Sequence, residues 1–284
     1  MKFALLFANT GPFGQPDRLA HLAQKAEQVG LESLWTVEHV VVPKGYGSQY
    51  PYSRDGKMPG PENSPIPDPL IWMTYAAAVT TRIKVATGVL ILPQRHPFYV
   101  AKEVATLDVL SGGRAILGVG IGWLEEEFRG VGVRFQERVA RTEESIRALR
   151  SLWADGPSEF FGRHYAWNAV ESNPKPVQRP GVPIVVGGHV DAAARRAARL
   201  GDGFFPARVD VLPGLLETLR KECAQIGRDP KTIEITCGSK PTLDEVKRLE
   251  DLGVSRFTLS PPGFSRDDVE RGLEQFGNQL VAKS

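Results

Sequence analysis

Short, continuously apolar runs alternate with longer amphipathic stretches along the whole chain. The apolar runs show little polar alternation, which is typical of parallel strands that are covered on both faces. The eight predicted strands lie at residues 3–8, 33–36, 84–92, 115–119, 184–186, 203–206, 233–237 and 256–259.

Stretches with helical periodicity lie between and after the predicted strands. In the first of them, Leu19, Leu22 and Ala26 fall on one stripe, and Gly30 supplies a stop signal just beyond it. The eight predicted helices cover residues 17–29, 70–80, 98–110, 137–153, 192–200, 212–226, 243–252 and 266–276.

This alternation predicts an α/β fold, a (β/α)8 TIM barrel that forms a single domain over residues 1–284. Eight units of about 35 residues match the usual size of such a barrel. An open, doubly wound sheet is the alternative, but it rarely has eight strands at such even spacing.

Two insertions, after strands 2 and 4, interrupt the repeat. Residues 43–69 contain seven prolines together with Tyr46, Tyr50 and Tyr52, which excludes a helix or a central strand there. Residues 156–183 follow the fourth helix and carry a hairpin signal at Gly162. Loops of this length are usually lids or binding loops, and an inert insertion is the alternative.

Composition and charge narrow the classes of function. Hydrophobic residues make up 42% and charged residues 24% of the chain, which is an ordinary globular balance. The formal net charge of +2 removes the usual electrostatic argument for a nucleic-acid partner. Two cysteines, no apolar run of membrane length and a start unlike a signal segment favour a cytoplasmic protein without a membrane partner.

The loops that follow barrel strands are where this fold carries its chemistry. Glu38 and His39 come just after the second strand, and an imidazole is well suited to exchange a proton near neutral pH. A histidine that only packs at the rim of the barrel is the alternative interpretation.

A glycine pair, Gly187 and Gly188, follows the fifth strand and leads through Val190 and Asp191 into a helix. Glycines let a ligand approach the backbone, and free N–H groups at a helix start attract phosphate. The carboxylate of Asp191 would compete for those donors as an N-cap, so a plain strand-to-helix turn is the alternative.

Other motifs are weak or missing. Gly118, Gly120 and Gly122 lack the G-x-G-x-x-G spacing of a dinucleotide site, and they allow either a flat ligand near the backbone or a tight turn. The sequence contains no metal-ligand spacing, P-loop or G-x-S-x-G motif, so no metal site is expected.

Four segments resemble the luciferase-like monooxygenase superfamily of flavin and deazaflavin oxidoreductases. They are residues 34–39 (LWTVEH), 87–93 (TGVLILP), 111–123 (SGGRAILGVGIGW) and 183–188 (PIVVGG), the last followed by Gly201-Asp202-Gly203. The third segment is the most specific. Within the superfamily, the chain is most similar to the branch that uses the 5-deazaflavin coenzyme F420.

The resemblance implies a cofactor ring over the carboxyl-terminal mouth of the barrel. A non-proline cis peptide at Gly88–Val89 would press on one face of the ring, and Ile121 and Gly122 would flank it. Gly187, Gly188, Val190 and Asp191 match the turn that binds the cofactor phosphate in that family.

The resemblance also implies roles for the residues after the second strand. His39 matches the family's histidine beside the ring, a proton donor or acceptor, and Glu38 matches its acidic neighbour. Trp123 stands where the sugar-phosphate dehydrogenases of the family have a glutamate, which argues against that activity. Trp123 instead suggests an apolar or aromatic wall for the substrate.

Three hypotheses follow. The first is hydride transfer between coenzyme F420 and a small organic substrate, with His39 exchanging the substrate's proton. The second is an FMN-dependent monooxygenase, and the third is a barrel without catalysis. The superfamily is commonly dimeric, which implies a homodimer, and Lys44, Arg54 and Lys57 are candidates to face the anionic tail of the deazaflavin.

Overall fold

Parallel strands close into a barrel in the computed structural model, which describes residues 1–206 and 208–283. The barrel strands are β1 (Lys2–Leu6), β2 (Ser33–Thr36), β3 (Lys84–Thr87), β4 (Leu90–Ile91), β5 (Ala115–Gly120), β8 (Ile184–Gly187), β9 (Gly203–Phe205), β10 (Glu234–Cys237) and β11 (Arg256–Leu259). Along the sheet the order is β3-β2-β1-β11-β10-β9-β8-β5-β4, and a further pairing of β3 with β5 closes the barrel.

Helices follow the strands as the sequence predicts, so the (β/α)8 barrel is confirmed. One helix, α4, was not predicted, because its six residues are too few to show a period. The helices are α1 (Pro16–Gln28), α2 (Pro69–Ala78), α3 (Pro97–Ser111), α4 (Glu125–Gly130), α5 (Arg138–Trp153), α6 (Asp191–Leu200), α7 (Leu212–Gln225), α8 (Leu243–Asp251) and α9 (Arg266–Gln279).

The third barrel strand is broken, which corrects the prediction of one strand over residues 84–92. Between Ala86 and Leu90 it advances four residues, whereas its partner β5 advances three, from Ile116 to Val119. The extra residue makes a bulge. The bulge contains the cis peptide Gly88–Val89, which is the bond that the family resemblance implied.

The first strand also ends earlier than predicted, at Leu6 rather than at residue 8. Phe7 adopts a φ of 61°, in the left-handed region that a bulky residue seldom occupies. The Phe7 carbonyl accepts hydrogen bonds from the backbone N–H of Thr10 and from its hydroxyl, at 3.2 and 2.9 Å. This turn therefore ends the strand at the rim of the barrel.

The insertions have different structures. Residues 37–68 contain neither helix nor strand, in agreement with their prolines. The later insertion holds the predicted hairpin, in which β6 (Ser158–Phe161) pairs antiparallel with β7 (Ala166–Val170).

Side chains fill the inside of the barrel. A small cluster of Ala4, Trp35, Ala86, Ile116, Val185 and Phe205 occupies the axis, and the rings of Trp35 and Phe205 lie 5.3 Å apart. Arg256 is almost fully buried at the amino-terminal end, where it pairs with Glu32 at 2.9 Å and Glu234 at 2.7 Å. Because the interior is packed, a ligand has access only to the ends of the barrel.

Candidate functional site

Aromatic side chains cover the carboxyl-terminal mouth of the barrel. Tyr50 lies edge-on to both Trp123 and Tyr52, with 5.1 Å between ring centroids in each pair, and Tyr46 lies 5.5 Å from Trp123. We call Tyr46, Tyr50, Tyr52 and Trp123 the aromatic cap. Burial raises the pKa of Tyr50 to about 12, so this phenol is neutral over the physiological range.

The aromatic cap joins two histidines that follow different strands. Trp123 is 5.7 Å from the ring of His39, which follows β2. Tyr52 is 4.9 Å from the ring of His189, which follows β8. The long insertion therefore folds across the mouth and brings the two predicted parts of the site under one cover.

His39 is held by a carboxylate that the sequence did not single out. Its Nδ1 lies 3.0 Å from Oε2 of Glu127, and the Glu127 side chain is fully buried. The other oxygen, Oε1, accepts hydrogen bonds from the backbone N–H groups of Val40 and Val41, at 2.6 and 3.2 Å. Helix α4 thus fixes both the imidazole and the backbone that follows it.

Glu38 has a different environment from its neighbour His39. Its carboxylate is buried and accepts from Arg95, whose Nε lies 2.9 Å away, and from the backbone N–H of Ile91. Burial raises the pKa of Glu38, and the adjacent Arg95 opposes this effect. Arg95 also bonds Asp68, the N-cap of α2, at 2.7 Å. The side chain of Glu38 therefore links the end of β2 to β4 and, through Arg95, to the start of α2. Its predicted contact with a cofactor stays a prediction.

The bulge of the third strand forms the floor of the mouth. A Cβ on Gly120 would lie 2.4 Å from Cγ2 of Val89, and one on Gly187 would lie 2.7 Å from Cγ1. These two glycines therefore make room for the Val89 side chain, which is partly exposed. On Gly88, a Cβ would lie 2.9 Å from the indole of Trp35. Val89 and Gly187 thus pack against each other at the mouth, and their predicted roles toward the cofactor ring and phosphate stay predictions.

The turn after β5 carries the predicted ring-flanking residues. Ile121 is partly exposed, and Gly122 has a φ of 76°. A Cβ on Gly122 would lie 2.6 Å from the ring of Phe128, so both its backbone angle and its packing require glycine. This tight turn places Trp123 against Tyr46 and Tyr50, the other rings of the aromatic cap that it contacts.

The start of α6 is open to an anion. Val190 is its N-cap residue, and within residues 1–206 and 208–283 no side chain caps the helix. Asp191 does not compete for the free N–H groups, because its carboxylate accepts from the Thr218 hydroxyl at 3.1 Å. Gly188 has a φ of 138°, and a Cβ added to it would lie 2.6 Å from Cβ of Ala193.

His189 beside this turn has a buried Nδ1 without a hydrogen-bond partner among the described residues. Burial and the nearby Arg208 lower the pKa of His189, which favours the neutral ring. An open helix start, a glycine turn and an unpartnered ring nitrogen together suit an anionic ligand group.

Asn9 ties the long insertion to the barrel. It is fully buried, its Nδ2 donates to the carbonyls of Val37 and Pro67 at 2.9 and 3.1 Å, and its Oδ1 accepts from Val37 at 2.8 Å. The strand-end rule points to Asn9, because it follows β1. No rule of spacing identifies Glu127, which becomes a neighbour of His39 only in the folded chain.

The family model of the luciferase-like monooxygenases matches residues 1–248, so the chain belongs to this family. A protein of Mycobacterium tuberculosis, named only as uncharacterized, is 34% identical over 275 residues, or 92% of this chain and 94% of that protein. An F420-dependent glucose-6-phosphate dehydrogenase of Kineococcus radiotolerans is 33% identical over 233 residues, 78% of this chain and 63% of the dehydrogenase.

Solved structures share the fold over the whole chain. The monooxygenase RslO1 of Streptomyces bottropensis has a TM-score of 0.79 at 24% identity and covers 99% of each chain. An F420-dependent secondary alcohol dehydrogenase, solved with an F420–acetone adduct, has a TM-score of 0.78 at 19% identity and covers 100% of this chain and 99% of that one. At these identities the likeness shows the barrel fold alone.

Glu126 anchors the insertion that carries the aromatic cap. Its carboxylate accepts from the hydroxyl of Ser48 at 2.6 Å and from the backbone N–H of Gly47 at 2.8 Å. These bonds, chiefly that from Ser48, lower the pKa of Glu126 to about 2. The anchoring is therefore complete above the ordinary pKa of a glutamate and is lost only as the pH falls through about 2.

Replacing Glu126 with Ala should release the insertion at pH 8. We expect trypsin to cleave after Lys44, Arg54 or Lys57 about tenfold faster, because hydrogen bonds to a charged group no longer oppose local opening. Glu125→Ala is the matched control, since no hydrogen bond joins its carboxylate to the insertion in the described residues. Equal cleavage rates in the two variants would show that Glu126 is not the anchor.

Proposed function

We propose that the protein is an oxidoreductase that transfers a hydride between coenzyme F420 and a small, uncharged organic substrate. The observation that carries the proposal is the position of His39. Glu127 holds it at the mouth of the barrel, where its ring lies edge-on to Trp123. The relationship to an F420-dependent dehydrogenase at 33% identity favours the deazaflavin over FMN.

The residues at the mouth fit such a cofactor. The open start of α6, with its glycine turn, would hold the phosphate through Gly187, Gly188, Val190 and the backbone N–H of Asp191. The ring would lie against Gly88 and Val89, and Ile121 and Gly122 would flank it. When bound, the deazaflavin supplies the hydride chemistry, and the protein supplies position and exclusion of water.

His39 would handle the proton that accompanies each hydride. An imidazole beside the substrate can accept a proton during oxidation and return it during reduction. Its side chain is only 8% exposed, so the aromatic cap and α4 keep bulk water away from this exchange.

The aromatic cap indicates the class of substrate. Trp123, Tyr50 and Tyr52 present rings to the mouth, and burial keeps both tyrosines neutral by raising their pKa. Rings bind apolar or aromatic groups well and do not compensate a phosphate. We therefore expect an uncharged substrate rather than the sugar phosphate named for the Kineococcus radiotolerans relative.

Cofactor titration tests the proposal. We expect the fluorescence of F420 to change saturably as the protein is added, whereas FMN shows no saturable binding. Tight binding of FMN, together with NADH-supported oxygen uptake, would instead assign an FMN-dependent monooxygenase. Failure of both ligands to bind would favour a barrel without catalysis.

Loss of the imidazole should affect turnover more than binding. For His39→Ala we expect turnover of an accepted substrate to fall by about 10²–10⁴, with little change in F420 affinity, because only the proton transfer loses its partner. His21→Ala is the control, since His21 pairs with Glu270 on the outer helices. A fully active His39→Ala enzyme would reduce His39 to a packing residue.

We further propose that the protein is a homodimer that associates through α2. This helix contains no charged residue, and its outward face carries Ile71, 74% exposed, and Tyr75, 44% exposed. A helix that is apolar all round is normally covered. The neighbouring helix α3 adds Tyr99, which is 71% exposed.

A charge on this face should separate the subunits. We expect Ile71→Glu to elute as a monomer in size-exclusion chromatography with light scattering, whereas the parent protein elutes as a dimer. Phe161→Glu is the matched control, because Phe161 is equally exposed but lies on the hairpin strand β6. A monomeric parent protein would rule out the homodimer.

We place the protein in the cytoplasm. Cys223 and Cys237 are both free and buried, which suits a reducing compartment. Among the helices of residues 1–206 and 208–283, none is long and apolar enough to cross a bilayer.

A further inference from the structure

We propose that Glu127 is a positioning residue that holds His39 in the tautomer with its proton on Nδ1. Nε2 is then the nitrogen that exchanges a proton at the mouth of the barrel. This inference rests on the proposed function for its catalytic meaning, but the tautomer itself can be measured without cofactor or substrate.

The hydrogen bonds of Glu127 determine which ring nitrogen of His39 carries the proton. Its Oε1 is occupied by the N–H groups of Val40 and Val41. In the part of the chain that the structure describes, its Oε2 bonds only Nδ1 of His39, at 3.0 Å. An ionised carboxylate can only accept, so Nδ1 must carry the proton that it donates. Within the described residues, Nε2 makes no hydrogen bond, which leaves it for the substrate.

The charge of the Glu127 carboxylate favours the same roles for the two ring nitrogens of His39. Glu127 is fully buried, and the ring of His39 is the one cationic or potentially cationic side chain bonded to it in the described residues. When Nε2 takes a proton, the resulting imidazolium lies against this carboxylate and is stabilised by it. For each hydride that leaves a substrate, one proton leaves too, and Nε2 receives it.

The other groups around His39 do not provide this stabilisation. Glu38, the adjacent residue, is committed to Arg95, which also binds Asp68. Trp123 covers the ring edge-on and is uncharged. Tyr46 and Tyr50 contact Trp123 in the cap, and burial keeps Tyr50 neutral.

Glu127→Gln should invert the tautomer. The amide oxygen of Gln has to remain on the N–H groups of Val40 and Val41, so its NH₂ group takes the place of Oε2 and points at Nδ1. An NH₂ group donates, so Nδ1 must accept, and the ring proton moves to Nε2. The atom that should accept the substrate's proton is then blocked.

The readout is the ¹⁵N spectrum of the apo protein with labelled histidine, recorded at a pH where the rings are neutral. His39→Asn assigns the His39 signals among the five histidines. We expect the Nδ1–H tautomer in the parent protein and in Glu125→Gln, a matched change on the same turn of α4, and the Nε2–H tautomer in Glu127→Gln.

Activity gives a second readout. With an accepted substrate, Glu127→Gln should lower kcat by about 10² or more while leaving KM within about threefold, because proton transfer rather than binding is affected.

An Nε2–H tautomer in the parent protein would overturn the inference, even if Glu127→Gln fails to fold. An unchanged tautomer in a folded Glu127→Gln protein would also overturn it. If the tautomer inverts but F420 does not bind, the proposed function fails while the role of Glu127 stands. If F420 binds but the tautomer does not invert, the proposed role of Glu127 fails while the proposed function stands.

Discussion

The packing of the barrel interior is the constraint on which the site depends. Trp35 and Phe205 fill the axis, and Arg256 with Glu32 and Glu234 closes the amino-terminal end. Nothing can pass through such a barrel, so a ligand has access only to its ends. At the carboxyl-terminal end the floor of the mouth is Val89, whose side chain fits only because Gly120 and Gly187 have no Cβ. Gly187, which the sequence places in a candidate phosphate-binding turn, therefore also makes room for the side chain of Val89.

Buried or well-bonded carboxylates organise the rim above this floor. Glu38 joins the end of β2 to Arg95 and, through it, to the start of α2. On α4, Glu126 holds the insertion through Ser48, and Glu127 holds His39. Two successive residues of one short helix thus position the cover of the site and its imidazole. Because both residues lie on α4, a movement of this helix would displace the insertion and the His39 ring together.

Much of the fold follows from the sequence, because strands covered on both faces and helices with one apolar face leave clear patterns. The eight barrel strands are all found, and Ser33–Thr36 and Arg256–Leu259 even have the predicted bounds. The errors arise where local backbone geometry decides. The φ of Phe7 ends β1 early, and the bulge at Gly88–Val89 divides the third strand. The strand-end rule finds His39, but its pairing with Glu127 spans 88 positions and depends on how a short helix is placed.

The position of the acidic group explains how this chain departs from the sugar-phosphate dehydrogenases that it resembles. The family resemblance implies a glutamate at the place of Trp123 in those proteins, whereas here the carboxylate bonded to His39 comes from Glu127, four residues further along the chain. It approaches Nδ1 and is fully buried, so it lies behind the ring and not among the groups that a substrate meets. At the position where the resemblance implies an acidic residue in those enzymes, this chain has the indole of Trp123. The side chains that face the mouth beside His39 are therefore aromatic, and the proposal of an uncharged substrate rests on this arrangement.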